Sequence, residues 1–396
     1  MTRKSRPYPK RKVVLGGMVL FAGAAIVLAA GAEGAARTYS WWKQSGAITP
    51  IRTEPDSTLG WRLKSNFKSR AYLRGVFDAL EETNSAGIRS DRDYGPKANN
   101  TVRVLVIGDS FIYGPGVDIQ NTFCRQLETQ LNEGGRADRF EVINAGVPAF
   151  DTWQSLKWLS RLGPRLKPDI IVLGFYIGND ISQNGLRMAS NQLAIAEKEQ
   201  AFYQSNKASA GREFTFKSYL AQNSEAYRFL RERYHRLLTM FRLREMPAEG
   251  DVWWLDQYRK DLAPRDAVGY NATDSLLTSL GTWTRENHAE LVHLLIPELG
   301  QVVPDFWQRQ VGDLISFDPA KYDLQMPNRW LVAFGRKNSI ATLDLLPIFK
   351  ADSQPMTLYF ASDSHWSARG QASAAAEASR FLHDQGLIPA RSVDDP

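Results

Sequence analysis

Cysteine is almost absent from this chain: Cys124 is the only one in 396 residues. No internal disulfide can form, so the fold must stand on its apolar core. Two phosphate-binding signatures are missing too. No lysine follows the glycines of the stretch GDSFIYGPG (108–116) as a P-loop requires, and no G-x-G-x-x-G opens a helix after the first apolar strand. That argues against a nucleotide- or dinucleotide-binding domain. Acidic residues are absent from the first twelve positions, which hold Arg3, Lys4, Arg6, Lys10, Arg11 and Lys12. Those six account for the whole formal charge of +6, so the rest of the chain is close to neutral and carries no nucleic-acid signature. Internal repeats and low-complexity tracts are also missing. What is present, 43% hydrophobic and 23% charged residues, is the composition of a folded protein large enough for a sizeable core.

The basic tail precedes Val13–Ala32, twenty residues without a charge. At about 1.5 Å per residue this run spans roughly 30 Å, the thickness of a bilayer's hydrocarbon core. Basic residues on its amino-terminal side place residues 1–12 in the cytoplasm and send the remainder outward. The expectation is a single-pass anchor in a cell inner membrane with the body of the chain periplasmic. Ala30-Gly31-Ala32 resembles a signal-peptidase site, but the run exceeds the usual apolar core of about 7–15 residues in a cleaved signal.

Residues 33–100 are polar and punctuated by Pro55, Gly60, Gly87 and Gly95-Pro96, and read as a stalk with an irregular amino-terminal segment. Beyond them apolar runs alternate with helical patterns. Strands are expected at Val102–Ile107, Phe140–Asn144, Asp169–Tyr176, Glu290–Ile296 and Ile340–Leu345, and helices at Asn121–Asn132, Thr152–Leu162 and Ala368–His383. Alternating strands and helices imply an α/β fold with a parallel, doubly wound sheet over roughly 101–390. About a hundred extra residues, 181–288, interrupt it and read as a helical insertion. The insertion contains the basic amphipathic stretch Tyr227–Glu245, which reads as the solvated face of a packed helix, and Trp253-Trp254, which suit core packing better than sugar stacking.

In a doubly wound sheet the carboxyl ends of all strands share one edge, so residues far apart in sequence converge there. The expected strands end in Gly108-Asp109-Ser110, Asn144-Ala145-Gly146 and Gly178-Asn179-Asp180, and Asp363-Ser364-His365-Trp366 stands near the carboxyl terminus. Each alone is a common turn composition. Together they meet the needs of acyl transfer: a nucleophile, a base, a group to orient the base and donors for an oxyanion. Ser110 offers the hydroxyl. Of the five histidines, His293 lies inside an apolar strand, His235 and His383 lie on helix surfaces, and His288 precedes the fourth strand at the far end of the sheet. His365 remains, with Asp363 two residues away. The amides of Ser110 and Gly146 and the side chain of Asn179 are the candidate oxyanion donors, a glycine at 146 letting the backbone approach a substrate.

These four blocks (GDSF at 108–111, NAG at 144–146, GND at 178–180, DSHW at 363–366) resemble those of the SGNH hydrolase superfamily, the GDSL-type esterases and lipases. The resemblance implies a flavodoxin-like three-layer α/β/α sandwich with a mostly parallel five-stranded sheet, and metal-free, cofactor-free serine ester hydrolysis. It casts Ser110 as nucleophile, His365 as base, Asp363 as its orienting group, and Ser110, Gly146 and Asn179 as the oxyanion hole. Phe111 replaces the leucine of the GDSL name. The superfamily usually spaces the last pair Asp-x-x-His, whereas the Asp-x-His-Trp form here is similar to that of alginate O-acetyltransferase-type proteins, which move acetyl groups onto exopolysaccharides. Water as acceptor makes an esterase and a sugar hydroxyl a transferase; a non-catalytic binding module on the same scaffold is the third reading.

Overall fold

The computed structural model describes residues 47–133, 139–189, 253–262, 264–311, 317–360 and 363–388, together with scattered positions in 21–38 and 224–230. Five strands form the central sheet: β1 (Thr101–Ile107), β2 (Arg139–Asn144), β3 (Ile170–Tyr176), β4 (Glu290–Ile296) and β5 (Ala341–Asp344). Their order across the sheet is β2-β1-β3-β4-β5. Every pairing is parallel, with Val106 beside both Asn144 and Val172, and Leu173 beside His293. The sheet is thus wholly rather than mostly parallel. This is the flavodoxin-like order, whose topological switch lies between β1 and β3.

Side chains alternate along each strand between two apolar cores, as a sheet covered on both faces requires. Leu105, Ile107, Ile171 and Leu173 face one core with Trp158, Leu159, Leu277 and Leu280, which come from the helices Thr152–Leu166 and Pro264–Glu286. Val104, Val106, Ile170 and Val172 face the other with Phe123, Leu127, Ala374 and Ala375, from the helices Phe123–Leu131 and Ala368–Asp384. Three layers result. Cys124 is buried and unpaired within the second core. The helix expected to stop at Leu162 runs on to Leu166 through Pro164, and ends at Lys167 in the left-handed conformation, whose N–H bonds to Gly163 O. Trp283 closes over Gly163 so tightly that a Cβ there would lie 2.4 Å from its ring, and this packing outweighs the punctuation of Gly163-Pro164.

Residues 53–82, within the segment read as stalk and irregular chain, form two antiparallel hairpins: Thr53–Asp56 with Gly60–Leu63, and Lys68–Leu73 with Phe77–Glu82. They are sewn to the sheet domain, where Trp61 Nε1 donates to Pro148 O (3.0 Å) and Gln154 Nε2 to Leu59 O (2.7 Å). The described positions of 21–38 and 224–230 belong to a second unit, in which Ser224 Oγ donates to Glu33 Oε2 at 2.7 Å. Among the described residues no helix is long and apolar enough to cross a membrane. Much of the apolar run Val13–Ala32, and nearly all of the stretch Tyr227–Glu245, lie outside the described residues.

Candidate active site

The site is built where β1 ends. Gly108 takes φ +149°, and a Cβ there would lie 2.7 Å from Gly174 O on the neighbouring strand, so only glycine fits. Asp109 follows as the cap of a one-turn helix, Ser110–Tyr113, its Oδ1 accepting the Phe111 N–H at 2.8 Å. Ser110 is therefore the first helical residue, and its N–H is among those that a helix leaves without an internal partner.

His365 arrives from the carboxyl-terminal loop. Its Nε2 lies 2.8 Å from Ser110 Oγ, and its Nδ1 is hydrogen-bonded to Asp363 Oδ1. With Nδ1–H donated to the carboxylate, Nε2 is the acceptor facing the serine hydroxyl. The bond to His365 holds the Asp363 carboxyl below the usual range, against the opposing effect of burial. Both side chains are a little over a quarter exposed (27% and 29%), so a substrate can reach them.

The short Asp-x-His spacing has a local cause. Ser364 adopts φ +62°, the left-handed conformation, while Phe360 N–H donates to His365 O and Ser364 N–H to Phe360 O. This turn doubles the chain back so that Asp363, only two positions earlier, meets Nδ1 of His365. Behind the imidazole stands an aromatic wall. Phe111 lies 5.1 Å from the His365 ring, stacks on Tyr176 at 4.3 Å and meets Trp366 edge-on at 5.4 Å. Phe111 passes for a trivial replacement in the sequence, yet here it packs against the base.

The remaining expected residues divide. Asn179 sits at the end of β3, next to the serine's strand. Its Oδ1 is buried and without a hydrogen-bond partner, and its Nδ2 makes no bond to the described protein, which leaves that nitrogen for a ligand. Gly146 behaves differently from expectation. Its N–H donates to Asn144 Oδ1 at 3.1 Å, and the space of its absent Cβ is filled by Tyr113 N (2.5 Å) and Ile112 C (2.8 Å). The glycine is required by close packing of the nucleophile's helix. As the structure stands, the available oxyanion donors are Ser110 N–H and Asn179 Nδ2. His293 is buried in β4 with neither ring nitrogen bonded, and burial pushes it down to about 4. His288 lies at the opposite edge of the sheet, just before β4.

Several participants left no mark in the sequence. Glu81, fully buried in the second hairpin, pairs with Arg52 (2.8 Å) and accepts from Tyr113 O–H and Gly116 N–H, both at 3.1 Å. Phe77 packs on Phe360 at 5.2 Å. The hairpins thus brace both the serine's helix and the histidine's loop. Asp109 and Asp180 are buried carboxyls beside the site. Burial raises Asp109 to about 6, and burial together with repulsion from Asp109 raises Asp180 well above its ordinary value. Among the described residues no cluster of His, Cys, Asp and Glu is placed to hold a metal ion.

Fold and site together define a flavodoxin-like domain with a serine–histidine–aspartate triad at its switch point. No family model and no curated protein matches the chain. Among solved structures it is similar to TesA, at 14% identity over 72% of this chain and 99% of that one (TM-score 0.39). It is also similar to a lipase/acylhydrolase from Enterococcus faecalis, at 13% over 72% and 96% (TM-score 0.36). A third is a GDSL-like lipase from Parabacteroides merdae, at 11% over 74% and 100% (TM-score 0.39). At such identities and TM-scores the reaction has to be argued from the site itself.

Proposed function

We propose that this protein is an exported, membrane-anchored serine esterase that cleaves short acyl esters through an acyl-Ser110 intermediate. The observation that carries the reading is the unbroken chain Ser110 Oγ–His365–Asp363, with Asn179 on the turn after the neighbouring strand β3. In the proposed reaction His365 Nε2 takes the hydroxyl proton as Ser110 Oγ attacks the ester carbonyl. Asp363 holds the resulting imidazolium, while Ser110 N–H and Asn179 Nδ2 face the oxyanion. His365 then protonates the leaving alkoxide, and water, deprotonated by the same imidazole, releases the acid and restores the serine. Among exported esters, O-acetyl groups on a glycan suit the small-acyl reading. Anchoring and export rest on the basic tail followed by Val13–Ala32.

A second reading, transfer of the acyl group to a sugar hydroxyl, draws on the Asp363-x-His365-Trp366 block. It shares the first half-reaction and differs in how well the second excludes water. A labelled acetyl donor supplied with candidate glycans separates the two: free acetate at an unchanged rate supports the esterase. Label on the glycan, with faster donor consumption as acceptor is added, overturns it. For the anchor, the full chain should stay with membranes after a high-salt wash, and a soluble species about thirty residues shorter would contradict it.

A further inference from the structure

We propose that Gln257, at the returning end of the insertion, is the positioning residue for the oxyanion donor Asn179; this rests on the esterase reading. Among the described residues Asn179 Oδ1 has no hydrogen-bond partner and Nδ2 makes no hydrogen bond, so the aim of the amide depends on the backbone that carries it. That backbone is a short turn after β3, and Gln257 Nε2 donates to the Gly178 carbonyl at 2.9 Å. The Gly178 C=O and the Asn179 N–H belong to one rigid peptide plane, so fixing the oxygen fixes the plane from which Asn179 departs. The plane has little other support: Asn179 N–H lies 3.5 Å from Tyr176 O, a long contact.

Gln257 is itself firmly held. It is 2% exposed, and its backbone carbonyl accepts from Tyr270 O–H at 2.6 Å. Tyr270 is buried and packs edge-on against Trp330 at 4.9 Å. Tyr270 belongs to the helix Pro264–Glu286, which crosses the helix Asp180–Ala189 at contact distance. A Cβ on Gly185 would lie 2.8 Å from Gly269 Cα, and one on Gly269 2.8 Å from Ile181 O. The helix that starts at Asp180 is thus fixed on one side of Asn179 and the Gly178 carbonyl on the other. The insertion leaves the sheet domain immediately after Asn179 and returns to grip the residue before it. Electrostatic stabilisation of an oxyanion needs donors aligned beforehand, and a misplacement of about 1 Å costs roughly 100-fold in rate.

The test is a double-mutant cycle on the full chain with nitrophenyl acetate, paired with hydrogen exchange. Gln257→Ala, and Gln257→Glu, which keeps the shape but loses the donor, should each lower kcat roughly 10- to 100-fold with KM within about twofold. In an Asn179→Ala background the same changes should have almost no further effect on kcat, because the group they aim is gone. Amides at 177–181 should exchange at least about tenfold faster in Gln257→Ala, with slow-exchanging amides of β1 and β4 unaffected. Additive losses in the cycle, or unchanged exchange at 177–181, would overturn the proposal. Absence of turnover by the unaltered protein would instead remove the esterase reading, and the exchange comparison would then decide the positioning role alone.

Discussion

Two neighbouring turns at one edge of the sheet make an instructive pair. Both follow parallel strands, both are made of small residues, and they are stitched together: Val147 N–H donates to Gly108 O and Ala145 N–H to Val106 O. The turn after β1 presents Ser110 outward to His365, whereas the turn after β2 spends its polar groups inward. Asn144 accepts from Gly146 N–H and donates through Nδ2 to Ile112 O at 2.8 Å, while Gly146 makes room for the Ile112–Tyr113 backbone. One turn carries the reacting group and the other is its mount. Composition is alike in the two; what differs is whether the polar atoms already have partners.

That contrast can be broken by substitutions, the largest effect lying at the triad. Asp363→Asn should lower kcat on the order of 10³- to 10⁴-fold, since an amide oxygen cannot stabilise the imidazolium and an amide N–H favours the wrong tautomer. Near-normal turnover would mean that something else orients His365. Asn179→Ala should lower kcat on the order of 10²- to 10³-fold without moving the melting temperature, because Nδ2 supports nothing in the fold. Gly146→Ala should do the reverse in emphasis. Its Cβ meets backbone that cannot step aside, so stability should fall by about 1–3 kcal/mol in denaturant titration, and activity only as far as the Ser110 helix shifts. A Gly146→Ala protein of full stability with a specific loss of kcat would restore Gly146 to the oxyanion hole.

The smallest effect contrasts two histidines. His365 has a partner at each nitrogen, while His293 has neither. Burial lowers His293 from 6.5 to about 4, so the native state binds fewer protons than the unfolded chain between those values. The stability present above pH 6.5 is therefore lost progressively as pH falls towards 4, by about 2 kcal/mol at pH 5. His293→Leu should remove that slope, so the stability of the variant relative to the parent should rise by about 2 kcal/mol from pH 7 to pH 5 in urea melts. A constant gap would show that His293 does not titrate with folding.

The apolar runs of the five strands and the blocks at 108–111, 178–180 and 363–366 were legible in the sequence because each is local: a strand's period, a turn's small residues, an acid two positions from a histidine. The pairing of Ser110 with His365 was inferable because parallel strands bring their ends together. At Gly146 a glycine signals close approach without saying what approaches, and here the chain's own helix fills the space of its Cβ. The Glu81–Arg52 brace and Gln257 left no trace because their partners lie tens of residues away. The hairpins of 53–82 pair locally, but their strands are polar and half-exposed and show no apolar run. Phe111 shows the same limit, its significance appearing only when Tyr176 and Trp366 fold around it.

Reaction of the intact protein with a serine-directed fluorophosphonate, followed by mass spectrometry, tests the triad most directly. A single adduct on the peptide containing Ser110, lost in His365→Ala at unchanged melting temperature, is the predicted result. No adduct, or one that persists without the histidine or falls on another residue, would contradict it.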